Sequence, residues 1–205
     1  MDRFSDRLFA PLDRLFVYVM TLLAILVMLL APEMSIAAAG VSAQVNASAF
    51  GTYTGTNGAG DVQFNFNVQD AYPIAAGTAA GKADLMFADR RTIAASGTDV
   101  LDLAGTLADP FGVVLTFLHV KVIYVEADCG NTNNVVISPG ATNPFNGPFA
   151  GTTPSIAIPP CSVALLTHEG AGWAVTASTG DLFKVANSGS GTSVIYKVLI
   201  IGAST

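Results

Sequence analysis

The residues able to do acid–base or nucleophilic chemistry are few and scattered. His119 and His168 are the only histidines. His119 stands among Leu118, Val120 and Val122 and reads as a strand residue rather than a base. His168 is followed by Glu169, a pair that suits a cation only if both side chains point the same way. Adjacent strand residues point to opposite faces. Asp84, Asp89, Asp99, Asp102 and Asp109 crowd one stretch without EF-hand spacing. No G-x-S-x-G elbow, P-loop or dinucleotide fingerprint occurs. Paired carboxylates for glycoside hydrolysis depend on the fold to unite them, but sugar-chain clefts display several aromatics, and Trp173 is the sole Trp. The chain is therefore expected not to be an enzyme and to use no cofactor and no metal. Trp173 is kept as a candidate ligand contact.

Cys129 and Cys161 are the only cysteines. In an exported body they can form a disulfide, worth roughly 3 kcal/mol by loop closure; two separate thiols are the alternative. No CxxC or Cys/His cluster suggests zinc. Asn46-Ala-Ser48 matches a glycosylation acceptor, a motif frequent by chance.

The elements that must position these residues fall into two parts, 1–39 and 40–205. Leu15 to Ala31 is an apolar run broken only by Thr21. As a helix it covers roughly 25 Å, just short of a hydrocarbon core of about 30 Å. Ala37-Ala38-Ala39 supplies a small-residue exit suited to a cleaved signal peptide. Against that, Arg3, Arg7 and Arg14 are matched by Asp2, Asp6 and Asp13. A retained membrane anchor is the second reading. A helix packed in an oligomer core is the third, since Leu8, Leu12, Leu15, Val19, Leu22 and Leu26 step by three or four.

The body carries six Lys/Arg (Lys82, Arg90, Arg91, Lys121, Lys184, Lys197) against eleven Asp/Glu. An acidic balance argues against a nucleic-acid partner, which needs a basic surface. Val62 to Gln69 alternates Val62, Phe64, Phe66 and Val68 with Gln63, Asn65, Asn67 and Gln69, which predicts a strand with one dry and one wet face. A Gly58/Gly60 turn is expected before it, and Tyr72-Pro73 is expected to end it. Leu115–Glu126 and Val194–Ile201 read as central strands. Shorter strands are expected at 83–87, 99–103, 135–138, 155–158, 162–166, 173–177 and 182–186, separated by Gly, Pro, Asn and Thr. That rhythm predicts an all-β fold, an antiparallel β-sandwich of jelly-roll-like type, preceded by one N-terminal hydrophobic helix. The expected core is Val62, Phe64, Phe66, Val68, Val120, Val122, Trp173, Val198 and Ile200.

One loop stands out. Ser138–Thr153 places Phe145 and Phe149 beside Pro144 and Pro148. Such a loop is a candidate interaction element that plugs a neighbouring subunit; the plainer reading tucks both rings into their own core.

Taken in order, several segments resemble a family of small tailed-phage and prophage structural proteins. They are Asp84–Arg90, Leu101–Leu107 with Asp109–Gly112, Gly130–Asn134, Asn143–Phe145 before Gly147–Phe149, and Gly180–Ser188 before Gly191–Ser193. The resemblance spans about residues 45–203. It implies a virion surface component (head fibre, decoration or minor tail protein), non-enzymatic, built as a β-sandwich, homo-oligomeric and by analogy trimeric, attached to phage particle proteins. The apolar head departs from the family pattern and adds the membrane as a further partner through Leu15–Ala31. The alternative function is an exported or membrane-anchored adhesive domain that binds glycan or a receptor.

Overall fold

The computed structural model describes residues 40–205. The expected hydrophobic helix, with the signal, anchor and oligomer-core readings of Leu15–Ala31, lies outside them. The described chain is all-β. Its strands are β1 (Ala43–Asn57), β2 (Gly60–Ala76), β3 (Lys82–Ala83), β4 (Leu85–Ile93), β5 (Thr98–Asp102), β6 (His119–Ala127), β7 (Val135–Pro139), β8 (Ile156–Ile158), β9 (Val163–Thr167), β10 (Trp173–Ala174), β11 (Leu182–Asn187) and β12 (Val194–Ala203).

Three sheets result. The first runs β10-β6-β12-β4, with β9 also paired to β6 beside β10; the second runs β5-β11-β7-β8. Every pairing in these two is antiparallel. The third is the ribbon β1-β2, with β3 joined in parallel at Ala75 and Ala76.

Period-two side-chain alternation explains how the first two sheets share one core. Val194, Tyr196, Val198 and Ile200 of β12, Ile123 and Val125 of β6, and Phe87 of β4 bury together with Leu101, Val135, Ile137, Phe183 and Val185 of the second sheet. A smaller cluster forms on the other side of the first sheet, where Tyr72 and Ile74 of β2 cover Val122 and Ile201. The inner faces of β6 and β12 are thus buried along their length, and their outer faces are buried at Val122 and Ile201, where β2 covers them.

The β6–β12 ladder slips by one residue between Ile201 and Gly202, leaving Lys121 as the extra residue of a bulge. Gly202 is required there, because a Cβ would collide with the His119 carbonyl oxygen. Lys121 is fully buried. Its Nζ donates to the carbonyls of Ala79 (2.7 Å) and Lys82, tying the segment after β2 to the sheet. Burial pushes this ammonium below its ordinary range, and the Asp84 carboxylate opposes the shift.

Two expectations need correction. Tyr72-Pro73 does not end the second strand, which continues to Ala76. Proline is tolerated because β3 pairs only with Ala75 and Ala76, so Pro73 sits on an edge with no ladder bond to lose. Residues 115–118 precede β6 instead of opening it; Leu115 and Phe117 are nevertheless buried in the core.

Candidate functional site

Both histidines and the five aspartates between Asp84 and Asp109 are engaged in structural bonds. His168 Nδ1 accepts from the backbone N–H groups of Gly170 and Gly172, both at 3.3 Å, which closes the turn before β10. His119 Nδ1 lies 3.3 Å from the carbonyl oxygen of Thr205. The aspartates are dispersed. Asp102 accepts from the Ala104 N–H and Asp109 from the N–H groups of Phe111 and Val113. Asp99 lies at the junction of the two core-sharing sheets. It accepts from Arg91 Nη1 through both oxygens at 3.1 Å and from Tyr196 Oη at 2.7 Å. Arg91 also donates to Asp89 at 2.8 Å and lies over the Phe87 ring. Burial first, then the bond to Asp99, raises the Tyr196 phenol far above its ordinary value. Arg91 is raised as well: burial, its largest influence, lowers it, but the bonds to Asp99 and Asp89 outweigh that. Among the described residues no group of three or more His, Cys, Asp or Glu is placed to hold a metal ion.

Cys129 and Cys161 are joined by a disulfide. It staples the end of β6 to the turn that leads into β9, where the Cys161 N–H donates to the Ala127 carbonyl. Of the two readings of the 138–153 loop, the plainer one holds. Phe145 is fully buried, and Phe149 packs on the core with its ring 6.3 Å from that of Phe183. Neither ring, nor the flanking Pro144 and Pro148, forms a free plug; Pro144 is bridged to Leu182. Trp173 is half-buried against the core, edge-on to His168 at 5.6 Å, with Gly147 packed on its Cβ.

The largest departure from expectation is the ribbon. Its alternation is as predicted, but Val62, Phe64, Phe66 and Val68 are not core. Phe64 and Val68 are each 66% exposed and Tyr53, across from Phe64, is 74% exposed. The reason is topological. Among the described residues the hairpin pairs only with itself from Asn46 to Ala71, and beyond its base, where Ala47 and Asp70 lie beside Leu165 and Thr167, nothing covers its dry face. About twelve residues per strand make a free length of roughly 40 Å at about 3.4 Å per residue. The pairing is in perfect register to the Gly58-Ala59 turn, where Gly60 has φ +119° and Asn57 Oδ1 accepts from the Ala59 N–H.

That register sorts the ribbon into two faces. One carries Ala47, Ala49, Gly51, Tyr53 and Gly55 opposite Asp70, Val68, Phe66, Phe64 and Val62. The other carries Ser48, Phe50, Thr52, Thr54 and Thr56 opposite Gln69, Asn67, Asn65, Gln63 and Asp61. Side-chain bonds link the polar face, with Thr52 Oγ1 donating to Asn65 Oδ1 at 2.9 Å and Thr56 Oγ1 to Asp61 Oδ1 at 2.8 Å. Asn46, in the glycosylation-like triplet, is on this polar face. The apolar face continues the one that, at Val45 and Tyr72, covers Val122 and Ile201 of the body. β1 is not legible in the sequence because its dry-face positions, apart from Val45 and Tyr53, are Ala and Gly, which give little contrast with the Ser and Thr between them.

A second exposed feature is an open hollow on the outer side of the first sheet. Ala88, Tyr124 and Leu199 form its floor, with Arg90 and Lys197 at the rim. Glu126 anchors that rim, accepting from Lys197 Nζ at 2.8 Å and from Tyr124 Oη at 2.7 Å. These bonds, Lys197 first, hold its carboxyl below the ordinary range.

No protein-family model and no curated protein matches this chain. Among the described residues no helix is long and apolar enough to cross a membrane.

Proposed function

We propose that the chain is a non-enzymatic structural module of a phage-like virion surface. Its body is a jelly-roll-like antiparallel β-sandwich, attached to the particle through the N-terminal segment. One observation carries this reading: some 26 residues, Asn46–Ala71, form a ribbon that adds nothing to the core of the described residues yet exposes Tyr53, Val62, Phe64, Phe66 and Val68 on one face. A chain that spends so much length outside its core spends it on contact with another molecule. The ordered segments between Asp84 and Ser193 that resemble phage structural proteins supply the context. The commitment of His168, Asp99, Asp102 and Asp109 to turn closure and sheet pairing supports a structural role. The alternative, a glycan- or receptor-binding adhesive domain, gains little from Trp173, whose ring is half-buried and edge-on to His168.

The test is density-gradient purification of particles from the native source, followed by peptide mass mapping. The expected result is co-sedimentation of peptides from residues 40–205 with the particle proteins, with the first residue detected showing whether the head is retained. Recovery only in membrane or particle-free fractions overturns the proposal.

A further inference from the structure

We propose that the β1–β2 ribbons of three or four copies of this chain pair edge to edge and close into a narrow barrel, apolar faces inward. The inference deepens the reading above by naming the ribbon's partner as the chain itself. It rests on that reading only for the premise that the ribbon is a contact surface.

Three observations select another copy as the occupant. The first is continuity. The dry face that buries Val122 and Ile201 under Val45 and Tyr72 runs on without a register break, and past the single Ala47–Asp70 row it is apolar from Ala49 and Val68 to Gly55 and Val62. Tyr53, Phe64 and Phe66 alone expose roughly 350 Å² there at about 200 Å² per aromatic residue, enough with the two valines to exceed a stray patch.

The second is shape. Large residues occupy one strand (Val62, Phe64, Phe66, Val68), and small ones occupy most of the other (Ala47, Ala49, Gly51, Gly55). The Phe66 ring already lies over Gly51, 2.7 Å from where a Cβ would sit, whereas the space over Gly55 is open. When the β1 edge of one copy pairs with the β2 edge of the next, rows of large and small residues alternate around the tube. That is how narrow barrels fill their interiors. About eight strands is the size at which side chains still fill the lumen, hence three or four hairpins.

The third is the backbone and its charge. Among the described residues both outer edges of the free ribbon lack a ladder partner, and a closed ring satisfies them together. Asp61 and Asp70 are its only charged residues. Asp61 is on the polar face at the tip; Asp70 is on the dry face but at its base, beside Leu165 and Thr167 of the body, so neither enters the central apolar stretch.

The experiment is native mass spectrometry and sedimentation of the full chain in mild detergent, across a concentration series. Three proteins are compared: wild type, Phe64→Asn/Phe66→Asn, and Gly55→Leu. The last leaves the single chain unstrained and makes its dry face more apolar, but fills the row that a neighbour's large residues need. Wild type is expected to be a trimer or tetramer. Both variants are expected to move the monomer–oligomer midpoint to at least about tenfold higher concentration, while the unfolding transition of the body is unchanged. A monomeric wild type overturns the proposal, as when residues 1–39 cover the face within one chain. Unchanged assembly in either variant also overturns it, because copies are then held elsewhere or the face is not packed inward. Dye leakage from phosphatidylcholine/phosphatidylglycerol vesicles that is lost with Phe64→Asn/Phe66→Asn and strengthened by Gly55→Leu overturns it in favour of an outward-facing membrane barrel. Oligomers that never appear on particles leave this proposal standing and remove only the virion reading.

Discussion

At the scale of single residues, the most consequential polar group is Asp99. It unites Arg91 of β4 and Tyr196 of β12 with β5, bonding the two core-sharing sheets where their apolar layers end. A hydrogen bond to a charged partner contributes about 1.5–3 kcal/mol. Tyr196→Phe keeps the ring and its packing but deprives Asp99 of one donor. It is therefore expected to lower unfolding stability by about 1.5–3 kcal/mol, read by denaturant titration at neutral pH. The same group has a pH signature. Its folded phenol titrates above the ordinary value of 10.0, so the folded state holds a proton that the unfolded chain loses. That contribution is complete below pH 10 and fades as pH rises further. Wild type should show a steeper alkaline decline than Tyr196→Phe, and equal slopes would contradict the assignment. None of this was legible in the sequence. Asp99 and Tyr196 are 97 residues apart, and the aspartate-rich stretch looks the same whether its members converge or disperse.

At the scale of elements, the disulfide and the ribbon teach opposite lessons. The bond joins Cys129 and Cys161 across a separation of 32 residues, enclosing β7, β8 and the Phe145/Phe149 loop. Loop-closure entropy gives it roughly 3 kcal/mol, about 6–12 °C of midpoint for a domain of this size. Replacing both cysteines by serine should produce a fall of that order by calorimetry, while circular dichroism at 20 °C stays native. A drop below about 2 °C would mean the strand pairing of β6 with β9 already does the work. Sequence alone could say only that the two thiols were eligible, since nothing local records that strands 163–167 and 119–127 are neighbours. The ribbon was legible in another way. Val62 to Gln69 announced the period and the existence of a dry face, both correct. Alternation encodes amphipathicity but carries no information about what lies against it, so Phe64 and Val68 were assigned to a core they do not join. The central strands were easier, because β6 and β12 carry long apolar runs whose inner-face residues have room only in the interior.

At the scale of the whole molecule, the body is acidic, and three of its six cations, Arg90, Arg91 and Lys197, are paired with particular carboxylates. Lys197 first, then Tyr124, holds Glu126 below its ordinary 4.5, while the Gly130 N–H first, then Arg90, holds Asp128 below its ordinary 3.8. Depressed carboxylates stabilise the folded state above their ordinary range and lose that contribution as pH falls through the folded values. The midpoint of thermal unfolding should therefore be level above pH 5 and decline below about 4.5. Lys197→Ala should soften the decline, and a parallel curve for that variant would exclude the pair as a source.

The unpaired edges of the ribbon have a kinetic counterpart. In a two-stranded antiparallel ladder, every second amide of each strand points inward to its partner and the rest point out to water. Between Asn46 and Ala71 an isolated chain would thus exchange its amide hydrogens in a comb, slow and fast teeth alternating along one hairpin. Whatever seals those edges removes the fast teeth first, without altering a single bond in the body.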